Sequence, residues 1–257
     1  PGAPHHRMRG HTGPAVRMRG PAALFAAVAV LTVAVLTGAA GCAAPQPGTT
    51  DDVGRSDDAA VVAQALSGLT VVDRRVHVLG YSREHFGGWI SYFHEHPAGS
   101  GMCSTREIVL LETFAPSPGA GHDTEHANDD ESGYGNSPVG SCPAASGTAT
   151  DVYSGEEIVP QDVEIDHVIP LAVAWDHGAN EWPRERRIRF ANDRELNLLA
   201  VSGVQNQRKS DASLGEWLPP RAGTACAYAA RYLSVAVRYS LTITGDDKEA
   251  AGDACGL

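Results

Sequence analysis

The sequence has little lysine and no surplus of positive charge. Only two of its 20 basic residues are lysines, Lys209 and Lys248, and 31 acidic residues give a formal net charge of −11. Residues 51–159 carry 17 acidic and 5 basic side chains, whereas residues 160–245 carry 10 of each. Tight non-specific binding to nucleic acid needs clustered Lys and Arg, so this composition counts against it. The balanced segment still permits a local basic groove.

The chain also lacks the close cysteine and histidine spacings of zinc sites. There is no CxxC among its five cysteines, so a structural zinc site is not predicted. Cys42 ends the N-terminal apolar run and is expected to carry a lipid. The other four cysteines are an even number, which in an oxidising compartment predicts two disulfides. Of the three possible pairings we expect Cys103–Cys142 and Cys226–Cys255, because each closes a local loop.

The one long apolar run lies near the N-terminus. Residues 21–41 read PAALFAAVAVLTVAVLTGAAG and follow Arg17 and Arg19, which is the pattern of an export signal. The run ends in Ala-Ala-Gly-Cys, which resembles a bacterial lipobox without its usual first leucine. We therefore expect a lipoprotein signal peptide over residues 18–42, with a lipid on Cys42 that holds the protein at the outer face of the cell membrane. Plain secretion and a retained anchor are the alternatives, because about 20 apolar residues can span a bilayer.

The rest of the chain is expected to be a tether and one domain. Residues 1–17 are interpreted as an upstream extension before a start at Met18. Residues 43–58 are polar, acidic and rich in Pro and Gly, which predicts a flexible tether. Residues 59–257 suit one domain of ordinary size. Within them, residues 115–147 are predicted to form a solvated acidic loop; the alternative is a cation site made by His122, Asp123, Glu125 and His126.

Hydrophobic periodicity predicts both helices and strands in this domain, hence an α+β fold. Strands are expected at 71–79, 163–169 and 198–201, and helices at 61–69, 171–175, 183–192, 203–211 and 225–239. In the last helix Tyr228, Tyr232, Val235 and Tyr239 recur at helical spacing. We interpret this stripe as core, since base-stacking aromatics normally come with interleaved basic residues. His177 is predicted to lie at the surface.

An Asp-His pair closes the second predicted strand. Hydrolysis of a phosphodiester needs a base, a cation and groups that hold both. His167 suits the base, because its ordinary pKa lies near neutrality. Asp166 and Asn206 offer the oxygen atoms that Mg²⁺ and Mn²⁺ prefer. Successive strand residues point to opposite faces, so the pair can share a site only where the strand ends and bends, as Pro170 suggests.

Three segments carry a family resemblance. DHVIPLAVAW, FANDRELNLLAV and NQRKSDASLGEWLPP strongly resemble the HNH endonucleases of the GmrSD type, and the residue order is also similar to the HNH domain of RNA-guided CRISPR effectors. The likeness is dense over residues 163–220, the expected motif core. It extends loosely to residues 81–89, to CSTREIVLLE at 103–112 and to the C-terminal cysteines, as in exported actinobacterial members.

The resemblance implies a ββα-metal core with added N-terminal strands and a C-terminal helix, stapled by disulfides. It implies that His167 is the general base and that Asp166 and Asn206 bind one divalent cation, Mg²⁺ or Mn²⁺. Asn197 would orient the loop or the imidazole, and Lys209 would contact phosphate or hold the metal-binding carboxylate. The last letter of HNH is Asn here, and Arg194-Glu195 is inserted before Leu-Asn, which is expected to affect the placement of Asn197.

The expected function is that of an exported, metal-dependent endonuclease acting on DNA or RNA as a monomer, without a protein partner. Arg106 and Arg208 are candidate contacts to substrate phosphate, although a structural ion pair is the alternative for Arg106. Two other functions remain open: a surface lipoprotein that uses the fold only for binding, and a phosphodiesterase whose substrate is not a nucleic acid. The acidic composition is consistent with the phosphodiesterase alternative, because tight binding to nucleic acid needs clustered Lys and Arg.

Overall fold

The computed structural model describes residues 50–97, 99–114 and 141–257. The described residues belong to one compact unit, Pro47–Leu257. Its helices are α1 (Thr50–Gly68), α2 (Thr105–Thr113), α3 (Leu171–Asp176), α4 (Arg184–Ala191), α5 (Gly203–Lys209), α6 (Ala225–Tyr239) and α7 (Gly245–Cys255). None of the helices in these ranges is long and apolar enough to cross a membrane.

The strands pair two by two. They are β1 (Val71–Val72), β2 (Ser91–His96), β3 (Gly99–Ser104), β4 (Ala149–Thr150), β5 (Glu157–Ile158), β6 (Val163–His167), β7 (Leu198–Ser202) and β8 (Ile243–Thr244). β1 runs parallel to β8, while β2–β3, β4–β5 and β6–β7 are antiparallel. The mixture of helices and strands confirms the predicted α+β class.

Helices α1, α6 and α7 pack on one another and bury much of the larger apolar cluster. The predicted stripe on α6 is core, because Tyr228, Tyr232, Val235 and Tyr239 are all buried. Cys226 and Cys255 form a disulfide with an S–S distance of 2.04 Å, which ties the start of α6 to the end of α7. One of the two predicted disulfides, Cys226–Cys255, is therefore confirmed.

A second apolar cluster lies between α2 and the β6–β7 pair. Val109, Leu110 and Phe114 meet Val163 and Ile165 there. α2 begins with a capping box, in which Ser104 accepts from the Glu107 amide and the Glu107 carboxylate accepts from Ser104. The other predicted disulfide, Cys103–Cys142, is also confirmed and fixes the end of β3.

Two of the predicted element boundaries are wrong. The strand expected over 71–79 is only β1, because Asp176 holds the following segment by side-chain bonds: it accepts from the Val78 amide at 2.8 Å and from Arg75 Nε at 2.7 Å. α1 begins at Thr50, inside the segment expected to be a tether.

His177, expected at the surface, is buried, and its Nδ1 lies 2.9 Å from Thr242 Oγ1.

Candidate active site

The site is built on the antiparallel pair β6–β7 and the short helix α5 that follows it. Asp166 pairs with Leu199 and His167 with Leu198 in the β6–β7 register. His167 is the last residue of β6, and Pro170 precedes α3. The predicted strand, the short helix after Pro170, the second strand and the helix at Gly203 are therefore all present. Because the strand ends at His167, the two neighbouring side chains both reach one cavity.

His167 is buried, and its ring orientation is fixed from two sides. Its Nε2 lies 2.9 Å from the carbonyl oxygen of Ala191. A carbonyl only accepts, so Nε2 carries the proton and Nδ1 keeps the free lone pair. The indole of Trp89 stacks on the ring with centroids 5.7 Å apart and planes 2° from parallel. Burial lowers the pKa of His167 to about 3, so the imidazole is neutral at physiological pH and Nδ1 carries no proton.

Asp166 has both carboxylate oxygens bound within the protein. Lys209 Nζ donates to Oδ1 at 2.8 Å, and the hydroxyl of Tyr153 donates to Oδ2 at 2.6 Å. The Lys209 ammonium also donates to the carbonyl of His167 at 2.8 Å. Burial raises the pKa of Asp166 and lowers the pKa of Lys209, while each charge partly offsets the shift of the other. Lys209 thus forms a buried ion pair with the Asp166 carboxylate.

Asn206 lies one helical turn before Lys209 and faces a different carboxylate. Its Nδ2 donates to Glu164 Oε2 at 2.6 Å, and Gln207 Nε2 donates to Oε1 at 3.0 Å. Glu164 and Asp166 are two residues apart on β6 and therefore share a face of the strand. Two pairs, Glu164–Asn206 and Asp166–Lys209, consequently join β6 to α5 side by side.

Asn197 is fully buried and bonds only to backbone in the described part of the chain. Its Oδ1 accepts from the Ile169 amide at 3.0 Å, and its Nδ2 donates to the Phe190 carbonyl at 3.2 Å. These bonds tie the exit of β6 to the end of α4, one residue from the carbonyl that holds His167. The inserted Arg194-Glu195 does not displace Asn197. The turn that contains the insertion is closed by a hydrogen bond from the backbone N–H of Asn197 to the carbonyl oxygen of Asp193, at 2.8 Å.

These side chains open onto a cavity of about 620 Å³. Of the predicted site residues, it is lined by Asp166, His167, Asn206 and Arg106. Arg83, from the 3-10 turn Arg83–Phe86, also lines it and lies close enough to His167 to help lower its pKa. Arg208 is exposed and does not line the cavity. Lys209 and Asn197 do not line the cavity and lie behind the residues that do.

Three contacts of the site were not predicted from the sequence. Glu164 had a usable signal, since strand periodicity places it beside Asp166. Trp89 belongs to residues 81–89, whose loose family likeness assigns it no role. Tyr153 had no signal, because it reaches Asp166 from the turn between β4 and β5, outside the motif core.

The oxygen atoms around the cavity suit a hard divalent cation. In the described ranges there is no group of three or more His, Cys, Asp or Glu side chains arranged to hold a metal. The donor set in question is different, because it includes an amide: Asp166 offers carboxylate oxygens and Asn206 a carboxamide oxygen. Lys209 and Tyr153 occupy two of roughly four lone-pair positions of Asp166, so coordination capacity remains. His122, Asp123, Glu125 and His126 lie outside the described residues.

Comparison with known proteins gives two matches. Residues 126–250 match the family described as GmrSD restriction endonucleases, C-terminal domain. An uncharacterized secreted protein of Arthroderma benhamiae is 34% identical over 220 residues, which span 85% of this chain and 94% of the relative. No solved structure matches. The matched family segment contains Asp166, His167, Asn197, Asn206 and Lys209.

Proposed function

The chain belongs to the GmrSD restriction endonuclease C-terminal domain family, and from this membership we propose that it is an exported, divalent-metal-dependent HNH endonuclease. In this proposal β6, β7 and α5 are the ββα core, and DNA or RNA is the substrate. The secreted relative and the two disulfides support export. Attachment through a lipid on Cys42, at the outer face of the membrane, and a monomeric state are further parts of the proposal.

The observation that carries the proposal is the state of His167. Its Nε2–H donates a hydrogen bond to the Ala191 carbonyl, which leaves Nδ1 as the only ring atom that can accept a proton. Low solvent exposure keeps the ring neutral. His167 would remove a proton from water as the water oxygen bonds to phosphorus and the bond from phosphorus to the leaving oxygen breaks. The Ala191 carbonyl would then stabilise the imidazolium that forms.

Asp166 and Asn206 would hold the cation, which when bound supplies positive charge against the charge developing on the phosphate. Lys209 and Tyr153 would fix the Asp166 carboxylate, and Asn197 would fix the loop that presents the Ala191 carbonyl. Arg106 and Arg83 would contact substrate phosphate from the cavity wall. Arg208 would contact a more distant phosphate, because it lies outside the cavity.

The test is cleavage of supercoiled plasmid and of RNA by the disulfide-intact protein, with Mg²⁺ or Mn²⁺ and with excess EDTA. We expect cleavage that chelation abolishes. His167→Ala should lose about 10²–10⁴-fold in turnover with nearly unchanged metal affinity. Asp166→Ala and Asn206→Ala should weaken metal binding, and added metal should restore part of their activity. Rescue of His167→Ala alone by metal would reverse these assignments.

A phosphodiesterase acting on a smaller substrate is the second candidate. The cavity of about 620 Å³ falls within the range of small-molecule sites, and the acidic composition disfavours long nucleic acids. Metal-dependent hydrolysis of bis(p-nitrophenyl) phosphate without cleavage of plasmid or RNA would favour this candidate.

A further inference from the structure

We infer that Glu164 is a positioning residue that turns the carboxamide of Asn206 so that its oxygen, and not its nitrogen, faces the cavity. The inference rests on the proposed function, in which Asn206 binds the cation. It concerns a residue outside the predicted site set.

The argument begins with the two ends of an amide. A carboxamide has an oxygen that can bind a cation and an NH₂ group that cannot, and the two lie on opposite sides of the same carbon. An asparagine ligand is therefore useful in only one of its two orientations. Without a neighbour that distinguishes them, both orientations are populated and part of the binding free energy is lost.

Glu164 makes that distinction. An ionised carboxylate accepts hydrogen bonds and does not donate them, so Asn206 must present Nδ2 to it, and the distance of 2.6 Å shows a close contact. Nothing in the described ranges is hydrogen-bonded to Asn206 Oδ1, and both residues line the cavity. The oxygen is thus left free on the side away from Glu164.

Strand and helix geometry fix this contact. β6 presents Glu164 and Asp166 on one face, and α5 presents Asn206 and Lys209 three residues apart, so Glu164 lies opposite Asn206 and Asp166 opposite Lys209. Glu164 is itself held by Gln207 at its other oxygen. The arrangement is a second layer of hydrogen bonding that orients a ligand, and loss of such a partner typically costs about 10–100-fold in metal affinity.

The test is direct Mn²⁺ binding to the full protein, measured by the EPR signal of free Mn²⁺. Glu164→Ala should weaken binding by about 10-fold or more. Glu164→Gln should also weaken binding, because its carboxamide can donate as well as accept and therefore no longer fixes the orientation of the Asn206 amide. Gln207→Ala removes the other bond to Glu164 and should weaken Mn²⁺ binding less than Glu164→Ala does, because the contact between Glu164 and Asn206 remains.

A double-mutant cycle separates orientation from direct ligation. An aspartate presents an oxygen in either orientation, so in the Asn206→Asp background Glu164→Ala should no longer weaken Mn²⁺ binding. If Glu164 is itself a ligand, or only supports the fold, its removal weakens binding equally in both backgrounds, and the inference is overturned. Near-UV circular dichroism of each variant reports folding.

The outcome also distinguishes this inference from the proposed function. A wild-type protein that binds no Mn²⁺ overturns both. A wild-type protein that binds Mn²⁺ and cleaves, with unchanged affinity in Glu164→Ala, overturns only the role of Glu164.

Discussion

Replacing Lys209 with methionine tests how the candidate site is coupled to the stability of the domain. The Lys209 side chain is fully buried, and the Asp166 side chain is only 5% exposed. Methionine keeps the length of the side chain but removes both ammonium bonds, to Asp166 Oδ1 and to the His167 carbonyl. Within residues 50–97, 99–114 and 141–257, Asp166 would retain only the Tyr153 hydroxyl as a side-chain partner.

The expected cost follows from leaving a buried charge without its partner. Removing one member of a buried ion pair typically costs about 3–5 kcal/mol. In a domain of roughly 150–250 residues, 1 kcal/mol lowers Tm by about 2–4 °C, so we expect a decrease of about 6–20 °C. The assay is thermal and urea unfolding followed by circular dichroism, with EDTA present so that metal binding does not contribute.

The penalty should also depend on pH with a definite sign. Burial raises the pKa of Asp166 against the opposing effect of Lys209, and loss of the lysine raises it further. A group with a raised folded pKa stabilises the fold at low pH, and this contribution is lost as pH rises through the folded pKa. Lys209→Met should therefore cost more near pH 8 than near pH 5, and Asp166→Asn should relieve part of the cost.

Two results would refute this reasoning. One is a loss of stability below about 1 kcal/mol, which is the magnitude of an exposed ion pair. The other is a large loss that neither lower pH nor Asp166→Asn reduces, because such a loss would come from packing and not from the unpaired carboxylate.

The remaining predictions concern the base and the disulfides. Because burial lowers the pKa of His167 to about 3, kcat/KM should show no acid limb at the ordinary histidine pKa near 6.5. Trp89→Ala, which uncovers the ring, should raise that pKa; an NMR titration that left it unchanged would contradict the role of burial. Reduction should destabilise the protein by about 2–4 kcal/mol for each disulfide, measured as the unfolding midpoint with and without reductant. Free thiols in the oxidised protein at Cys103, Cys142, Cys226 or Cys255 would contradict the pairing.

Local patterns were sufficient to predict the elements that carry the motif. Alternation in VEIDH, Pro170 after it and Gly203 before VQNQRK correspond to β6, the start of α3 and α5. The tyrosine stripe on α6 was equally readable, because a helix that buries one face repeats its apolar residues at that spacing. Cysteine count and loop closure were enough for the disulfide pairing.

Contacts between distant segments were not predictable in the same way. The failure of the strand over 71–79 depends on Asp176, about a hundred residues away, whose carboxylate captures the segment. Tyr153 and Trp89 reach the site from separate turns, and nothing in their local sequence indicates an Asp or His partner. Local periodicity reports which side of an element is buried, but it does not report what buries it.

The register of one strand explains why site and fold are specified together. Val163 and Ile165 turn one face of β6 toward the apolar cluster with α2, while Glu164 and Asp166 turn the other toward α5. A slip of one residue against β7 would exchange the faces. It would place two carboxylates in the apolar cluster and separate Asp166 from Lys209, at a cost of several kcal/mol for each unpaired charge. The apolar residues that hold the register therefore also hold the positions of the candidate cation ligands and of His167 at the strand end.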